Sequence, residues 1–503
     1  MKKLKIIAIL LLIQAEVTLA QDSKLPNVLV ILADDIGTGD ISHYQKIVKN
    51  KVVVPTPNMD GLITEGIYFT NAHSPAALCA PSRYSIMTGN NTYRSYAPWG
   101  VWGAFQKSPL KVDDMTLGRL MKKVGYQTAF FGKWHMGGDY YGKGDTTKIY
   151  RGPRHKPEMD VDITRIIDGP QQKGFDYSFT FPAGIQASPY AVYENGNWMP
   201  LNDQSEIGFI SQENMDKLGF KLDKLEGQGD LQWDPHMMGP LLANKAVQYI
   251  ENQAKDSAPF FIYYSALAVH KPHTPSDSLN GVKIKGSIGS NHLDLIVELD
   301  VQIGMLVDKL KEKGLYGNTL IIVTSDNGGL LTKDASRLNH KSSSIYRGGK
   351  NQIFEGGHRV PFFALWPGHI RKKQVSNEPI IGLDIMATLA AVTNQSLKAN
   401  EGMDSKNLLP LFLGEKKAKG HKELLLQGGT SNEVCYIKNG FKLIIQVDRK
   451  KGTRNPTSLF DLNKNPKENE SDNLINDPKF EDLILKYFNE YNELRDSGKR
   501  VDQ

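Results

Sequence analysis

Asp34-Asp35 near the start of the chain and Asp326-Asn327 far down it are the first residues whose types and spacing could do chemistry. Adjacent carboxylates are costly to hold together unless a cation neutralises them, and an all-oxygen ligand set suits a hard ion. A lone Asp-Asp pair is otherwise more often a turn or a helix cap. A different chemistry is available at Cys79, in the run Cys79-Ala80-Pro81-Ser82-Arg83-Tyr84-Ser85-Ile86-Met87-Thr88-Gly89. A cysteine followed by Pro and Arg is a candidate special thiol; the residue types do not say which kind, and an inert buried thiol is the plain alternative. Cys435 is the only other cysteine, and a chain of 503 residues buries enough core to need no disulfide between them. Lys133 and His135 close the run Gly125-Tyr126-Gln127-Thr128-Ala129-Phe130-Phe131-Gly132-Lys133-Trp134-His135. Taken singly, they read as a solvated lysine and a capping or core histidine. His270 lies in Val269-His270-Lys271-Pro272-His273-Thr274-Pro275, and Lys350 in Tyr346-Arg347-Gly348-Gly349-Lys350, with Phe354-Glu355-Gly356-Gly357 just beyond. Glycines around Lys350 let the backbone come close to whatever the ammonium binds.

Apolar, β-rich runs alternate with helical patterns, which is the signature of an α/β domain with a mainly parallel sheet. Strands are expected at Asn27–Ala33, 127–131, Phe260–Ser265 and 320–324. Each runs into a polar cluster: Asp34-Asp35, then Gly132 to His135, then His270, then Ser325 to Gly329. Open α/β sheets bind ligands beyond the carboxyl ends of their strands, so the four clusters are expected to converge. Ile296, Leu299, Ile303, Leu306 and Leu310 repeat at helical spacing through an expected helix, 294–313, and read as core. Between 135 and 240 the chain is rich in Gly, Asp, Lys and aromatics with little periodicity, and reads as insertions around a binding cleft. A charged, glycine-containing stretch, 415–422, marks a boundary. Short antiparallel strands are expected beyond it at 424–426, 434–438, 442–447 and 458–462, then a helix over 480–496.

The first twenty residues stand apart. Lys2, Lys3 and Lys5 precede an unbroken apolar run at 6–13, and Thr18-Leu19-Ala20 puts small residues where signal peptidase cuts. The run is too short to span a bilayer, so 1–20 read as a cleaved signal peptide, with export to the periplasm or medium and no membrane span afterwards. The formal charge of +6 includes three lysines and Glu16 within 1–20, leaving about +4. That is too weak for nucleic-acid binding and compatible with an enzyme meeting anionic substrates.

The run at 79–89 matches C-x-P-S-R…T-G, and 125–135 matches G-Y-x-T-x-x-x-G-K-x-H at every fixed position. In that order they make the chain resemble the type I, formylglycine-dependent sulfatases over nearly its whole mature length. The resemblance implies an α/β, alkaline-phosphatase-like sandwich with a large, mainly parallel sheet in a catalytic domain, 21–415. A smaller C-terminal α+β subdomain with an antiparallel sheet, 416–503, follows. It implies that a maturation enzyme reads Cys-x-Pro-x-Arg and oxidises Cys79 to Cα-formylglycine, leaving Cys435 free. In such enzymes one hydroxyl of the hydrated aldehyde attacks sulfur, and the other, once deprotonated, releases sulfate.

The implied catalytic set is Cys79, Arg83, Lys133, His135, His270 and Lys350. Asp34, Asp35, Asp326 and Asn327 hold one divalent cation, Ca²⁺ as first choice and Mg²⁺ as the alternative. Arg83 and Lys133 orient the diol, and Lys133 and Lys350 clamp sulfate oxygens. His270 or Lys350 protonates the leaving alcohol, and His135 takes the proton of the second hydroxyl. His273, His358 and Arg359 read as structural.

Within the family, 76–84, 93–95, 99–103, 160–162, 174–177, 190–194 and 346–348 resemble the galactosamine-6-sulfatase type. The substrate expected on that likeness is a sulfated glycan, attacked from its end at the 6-O-sulfate of galactose or N-acetylgalactosamine. The alternatives are 2-, 3- or 4-O-sulfate and N-acetylglucosamine 6-sulfate. Trp99, Trp102, Trp198 and Tyr190 are candidates to stack on a sugar face, although core is the commoner use of such residues. The rival readings are a phosphate or phosphonate ester hydrolase of the same superfamily and a silent carbohydrate-binding protein. Phosphatases there use Ser or Thr with a two-metal Asp and His set, which Cys79, Arg83, Lys133 and Lys350 argue against, and intact motifs argue against a silent relative.

Overall fold

The computed structural model describes residues 25–224 and 226–498; the expected signal peptide, 1–20, lies outside them. Asn27–Ala33, Phe260–Ser265 and Thr319–Ser325 are fully buried apolar strands lying side by side and parallel. Unbroken apolar runs of this kind belong to strands covered on both faces. Gln127–Lys133 extends the parallel set beyond Phe260–Ser265, and Tyr177–Ile185 extends it once more. On the other side Phe362–Leu365 and Ile67–Phe69 join antiparallel, and Gln374–Ser376 closes the edge. With the short strands Tyr193–Glu194 and Asn197–Trp198 the sheet has ten strands and a parallel centre.

Alternation along the central strand builds a core on each face. Leu29, Ile31 and Ala33 meet the helices Met238–Gln253 and Asn291–Glu312. Val28, Val30 and Leu32 meet Leu117–Lys122 and Ile385–Val392. The stripe from Ile296 to Leu310 is buried on Asn291–Glu312, as core.

The strand Tyr177–Ile185 corrects the reading of 135–240 as insertions alone. Pro182 and Gly184 within it look like loop residues. Its parallel ladder to Gln127–Lys133 covers only Tyr177 to Phe181, so the proline falls just beyond the paired part, where a missing N–H costs nothing.

Glu423–Gln427, Glu433–Lys438, Phe441–Asp448 and Thr453–Asp461 form a four-stranded antiparallel sheet. The helix Glu481–Ser497 covers one face through Tyr487 and Tyr491. The other face, with Leu426, Cys435, Ile444 and Phe460, packs on Ile353, Ile381 and Leu383 of the main domain. Its first strand also reaches the region of Cys79: Ala77 N donates to Gln427 O at 2.8 Å, and Asn351 N donates to Ala77 O at 2.6 Å. Both free cysteines are buried.

Candidate functional site

The four strand ends converge as the sheet topology requires. Asp34 and Asp35 follow Asn27–Ala33, and Asp326 and Asn327 follow the neighbouring Thr319–Ser325. Lys133 ends its own strand and His135 lies two residues on. Asp35 and His135 take left-handed backbone conformations, φ 65° and 52°, which polar side chains tolerate best and which turn the chain sharply off each strand. Cys79 opens the helix Cys79–Thr88, all ten residues of which are buried. The helix therefore aims its unsatisfied N–H groups and positive end at the site, favouring an anion there.

Arg83, one turn into that helix, ties the pieces together. Its Nη1 donates to Ser265 Oγ at 2.6 Å and to Lys133 O at 3.1 Å, and its Nη2 to Asp326 Oδ2 at 2.6 Å. Lys133 Nζ donates to Asp34 Oδ2 at 2.7 Å and to Gln186 Oε1 at 3.1 Å. Lys350 Nζ lies 2.6 Å from Asp35 Oδ1. Its loop gets that close because Gly349 packs on backbone: a Cβ there would lie 2.7 Å from Gly329 O. Cys79 Sγ lies 3.4 Å from His135 Nδ1. His270 Nε2 lies 3.9 Å from Asp35 Oδ2, while its Nδ1 donates to Lys271 O at 2.8 Å. Every residue expected at the site is thus in one cluster. His270 at 8% exposure and the Lys350 side chain at 9% are its most open members and mark its mouth.

Three carboxylates face three cationic side chains in this buried cluster. Burial pushes Asp34 up, but Lys133 and Arg83 outweigh it and hold the carboxyl well below the ordinary range. Burial pushes Asp326 up to about 7, with the charges of Asp34 and Asp35 adding to it against the pull of Arg83. Burial likewise holds His135 and His270 neutral, well below the usual histidine value, helped by the nearby lysines. It also raises the Cys79 thiol against the pull of Lys133 and Lys350, so an unaltered cysteine here is a poor nucleophile at neutral pH.

The oxygen atoms fit a hard cation. Asn327 Oδ1 is a buried acceptor without a hydrogen-bond donor, and Asp34 Oδ1 has only the Arg83 guanidinium at 3.4 Å. The Asn327 amide is held by its Nδ2, which donates to Asp35 Oδ1 at 2.9 Å and to Gly328 O at 2.9 Å, while its carbonyl has no partner. Ligand atoms of Asp34, Asp35 and His270 lie within 4.8 Å of one another. Buried acceptors left unpaired are costly, and a bound ion removes that cost.

Two residues with no chemical signature complete the cluster. Ser265 holds Arg83, and Gln186 sits between Lys133 and His135, its Nε2 3.4 Å from His135 Nε2. Because Gln186 accepts from the Lys133 ammonium, its amide must turn N–H groups toward His135, which leaves the ring proton on Nδ1, facing residue 79. Of the aromatic candidates, Tyr190 is buried core and presents no face to a sugar, Trp102 is 4% exposed and packed in the core at the wall of an open groove, and Trp99 packs against the C-terminal sheet and helix. Their apolar rings were claimed by packing. Trp198 is half-buried, with Nε1 3.3 Å from Asp230 Oδ2.

The chain matches the family Sulfatase over residues 26–395, and the description N-sulphoglucosamine sulphohydrolase, C-terminal, over 348–497. It is 30% identical over 492 residues to an N-acetylgalactosamine-6-O-sulfatase of Bacteroides thetaiotaomicron, covering 89% of each chain. It is 31% identical over 398 residues to arylsulfatase A of Bos taurus, covering 79% of this chain and 69% of that one. A solved structure from work on the metabolism of multiple glycosaminoglycans by Bacteroides thetaiotaomicron shares 27% identity and superposes with a TM-score of 0.79, over 94% of this chain and 100% of that one. Among the described residues no helix is long and apolar enough to cross a membrane.

Proposed function

This chain belongs to the sulfatase family and is a sulfuric ester hydrolase, and from that premise we propose that it is exported and removes 6-O-sulfate from galactose-type sugars at the end of a sulfated glycan. The observation that supports the sugar most is the likeness to the N-acetylgalactosamine-6-O-sulfatase, which runs through 89% of both chains. Arylsulfatase A matches at similar identity over less of the chain.

In this reading Asp34, Asp35, Asp326 and Asn327 hold Ca²⁺, or alternatively Mg²⁺, and the ion supplies positive charge for the sulfate oxygens. A maturation enzyme converts Cys79 to formylglycine, which supplies a hydrated aldehyde with two hydroxyls in place of a thiol. Arg83 fixes the start of the Cys79–Thr88 helix against Asp326 and Ser265 and so sets where residue 79 points. Lys133 and Lys350 each spend one or two protons on an aspartate and keep another for a sulfate oxygen. With the helix N-terminus they form a preorganised cradle for developing negative charge.

His135 begins as a donor to residue 79. It can take the second hydroxyl's proton only once the ring proton sits on Nε2 and Gln186 turns its carbonyl there. The leaving alcohol takes its proton from His270 or Lys350. The Nδ1–H of His270 is committed to the Lys271 carbonyl, so the neutral ring offers only an acceptor at Nε2. Lys350 is held charged by Asp35 against the opposing effect of burial, and that favours it as the donor.

A panel of monosulfated galactose, N-acetylgalactosamine and N-acetylglucosamine isomers, with nitrophenyl sulfate and a nitrophenyl phosphonate as controls, tests the reading. Release from the galactose-type 6-sulfates should exceed that from every other isomer. Preference for a 2-, 3- or 4-sulfate overturns the regiochemistry, and faster turnover of the phosphonate than of the sulfate overturns the leaving-group chemistry.

A further inference from the structure

An open groove of about 760 Å³, lined by Tyr96, Gln106, Lys107, Arg151, Arg154 and His155, has no part in the cluster just described. Its walls nevertheless stand on loops that leave the catalytic residues. Gly137 N donates to Trp102 O at 3.3 Å and Gly138 N to Gln106 O at 2.9 Å, directly after His135. Ala104 packs on Ala183 and Ala187, which flank Gln186. The Arg154 guanidinium leans over the same loop, since a Cβ on Gly103 would lie 2.9 Å from its Nη1.

The lining combines two features that a charged sugar needs. Tyr96 is 50% exposed, yet its ring is held in place: its hydroxyl donates to Lys107 O and Ser108 O at 3.0 and 3.1 Å. An exposed aromatic fixed in this way is a platform for the apolar face of a sugar. Lys107 Nζ lies over one face of that ring, 5.4 Å from its centroid, which leaves the other face for a sugar, and Arg151 is positioned by an ion pair to Asp139. Arg154 is half-buried, and among the described residues no carboxylate lies within ion-pair reach of it. A guanidinium that makes no ion pair among the described residues, in a concave wall, is suited to a carboxylate or a sulfate arriving from solvent.

We propose that this groove is a second sugar subsite, which takes an anionic unit, a uronate or a second sulfated sugar, next to the terminal sulfated sugar, with Tyr96 beneath its ring and Arg154 on its charge. The proposal rests on the glycan reading above. It makes the acidic oligosaccharide, rather than the sulfated monosaccharide, the preferred substrate.

The test is calorimetric and independent of turnover. The full-length Cys79→Ala protein is titrated with a tetrasaccharide of alternating glucuronate and 6-sulfated N-acetylgalactosamine, and with 6-sulfated N-acetylgalactosamine alone. Arg154→Gln and Tyr96→Ala in that background should each weaken the tetrasaccharide about tenfold, the size of one charge-assisted contact at a partly open site, and leave the monosaccharide within about twofold. Equal affinity for the tetrasaccharide with and without Arg154 overturns the subsite, as does equal loss for both ligands. Parallel turnover of nitrophenyl sulfate and the monosaccharide by otherwise unaltered Arg154→Gln enzyme separates a failed subsite from a failed substrate: activity on the aryl sulfate but none on any galactose-type 6-sulfate is a failure of the substrate reading, and the titration still decides the groove.

Discussion

Two buried charge clusters lie on either side of the loop that carries Lys350, and they differ in what their residue types leave unfilled. The first joins Asp34, Asp35 and Asp326 to Arg83, Lys133 and Lys350. The second, between the main domain and the C-terminal sheet, joins Glu355 and Glu468 to Lys442 and Arg359, with His73 and His358 between them. Lys442 Nζ lies 2.8 Å from Glu468 Oε1, 3.1 Å from Glu355 Oε1 and 3.0 Å from His358 Nε2. His73, Glu355 and His358 have the makings of a metal site by residue type and spacing. An ammonium from the neighbouring sheet occupies the centre instead. The first cluster keeps one buried acceptor, Asn327 Oδ1, with no donor at all, whereas Glu468 Oε1 of the second has the Lys442 ammonium beside it; the first also opens to solvent past His270 and Lys350. Net charge is balanced in both, so the difference lies in one unmet acceptor and a mouth.

The contrast is sharpest at the cysteines. Both are buried, yet only Cys79 faces a histidine and a helix start. Cys79→Ala should abolish sulfate release, a loss of roughly 10⁴-fold or more, with little change in melting temperature. Cys435→Ala should keep full turnover and cost about 1 kcal/mol of stability for the small cavity left. Peptide mass analysis of active enzyme should show formylglycine at 79 and a thiol at 435. Activity from an enzyme with an intact thiol at 79 would end the mechanism.

Chelation separates the clusters next. Removing a divalent cation should lower both rate and melting temperature, because an ion bound only by the native state stabilises it and its loss leaves like charges adjacent. The second cluster should be indifferent to chelators and sensitive to Lys442. Lys442→Met strands Glu355 and Glu468 in the interior and should cost about 3–5 kcal/mol in denaturant unfolding. A chelator effect of equal size on melting in the presence and absence of the first cluster's carboxylates would show that the ion sits elsewhere.

The smallest effect is a slope. Burial holds His358 down to about 3 and His73 well below the usual histidine range. Both are neutral when folded and take up protons when unfolded, so they stabilise fully above about pH 6.5 and progressively less as pH falls from there. Asp300, which burial pushes up to about 6, acts in the opposite sense. Replacing His358 by Gln should flatten the loss of stability between pH 6.5 and 4.5 by up to about 1.4 kcal/mol per pH unit, whatever it does to stability at neutral pH. An unchanged slope would mean that His358 is protonated in the fold.

Much of this molecule is legible from the chain itself. The bounds of Asn27–Ala33 and Phe260–Ser265 are visible because a strand buried on both faces is an unbroken apolar run, a local property. The two nucleophile-region motifs, and the polar residues just past each strand end, are likewise local, and a parallel sheet with its ligands at the carboxyl ends forces them together. Tyr177–Ile185 was not legible, since its proline and its glycine say loop and only the ladder offered by Gln127–Lys133 makes it a strand. Ser265 and Gln186 carry no charge or metal-binding signature, and their importance arises from what three converging strands place beside them. Trp102 and Tyr190 show the same limit from the other side, because an aromatic side chain serves a core and a sugar equally well until burial decides. So it is with His73, Glu355 and His358, which could hold a metal until a lysine from another sheet fills the space. Residue chemistry and periodicity are properties of the chain, whereas which acceptor is left unpaired, and which face is left open, belong only to the packed fold.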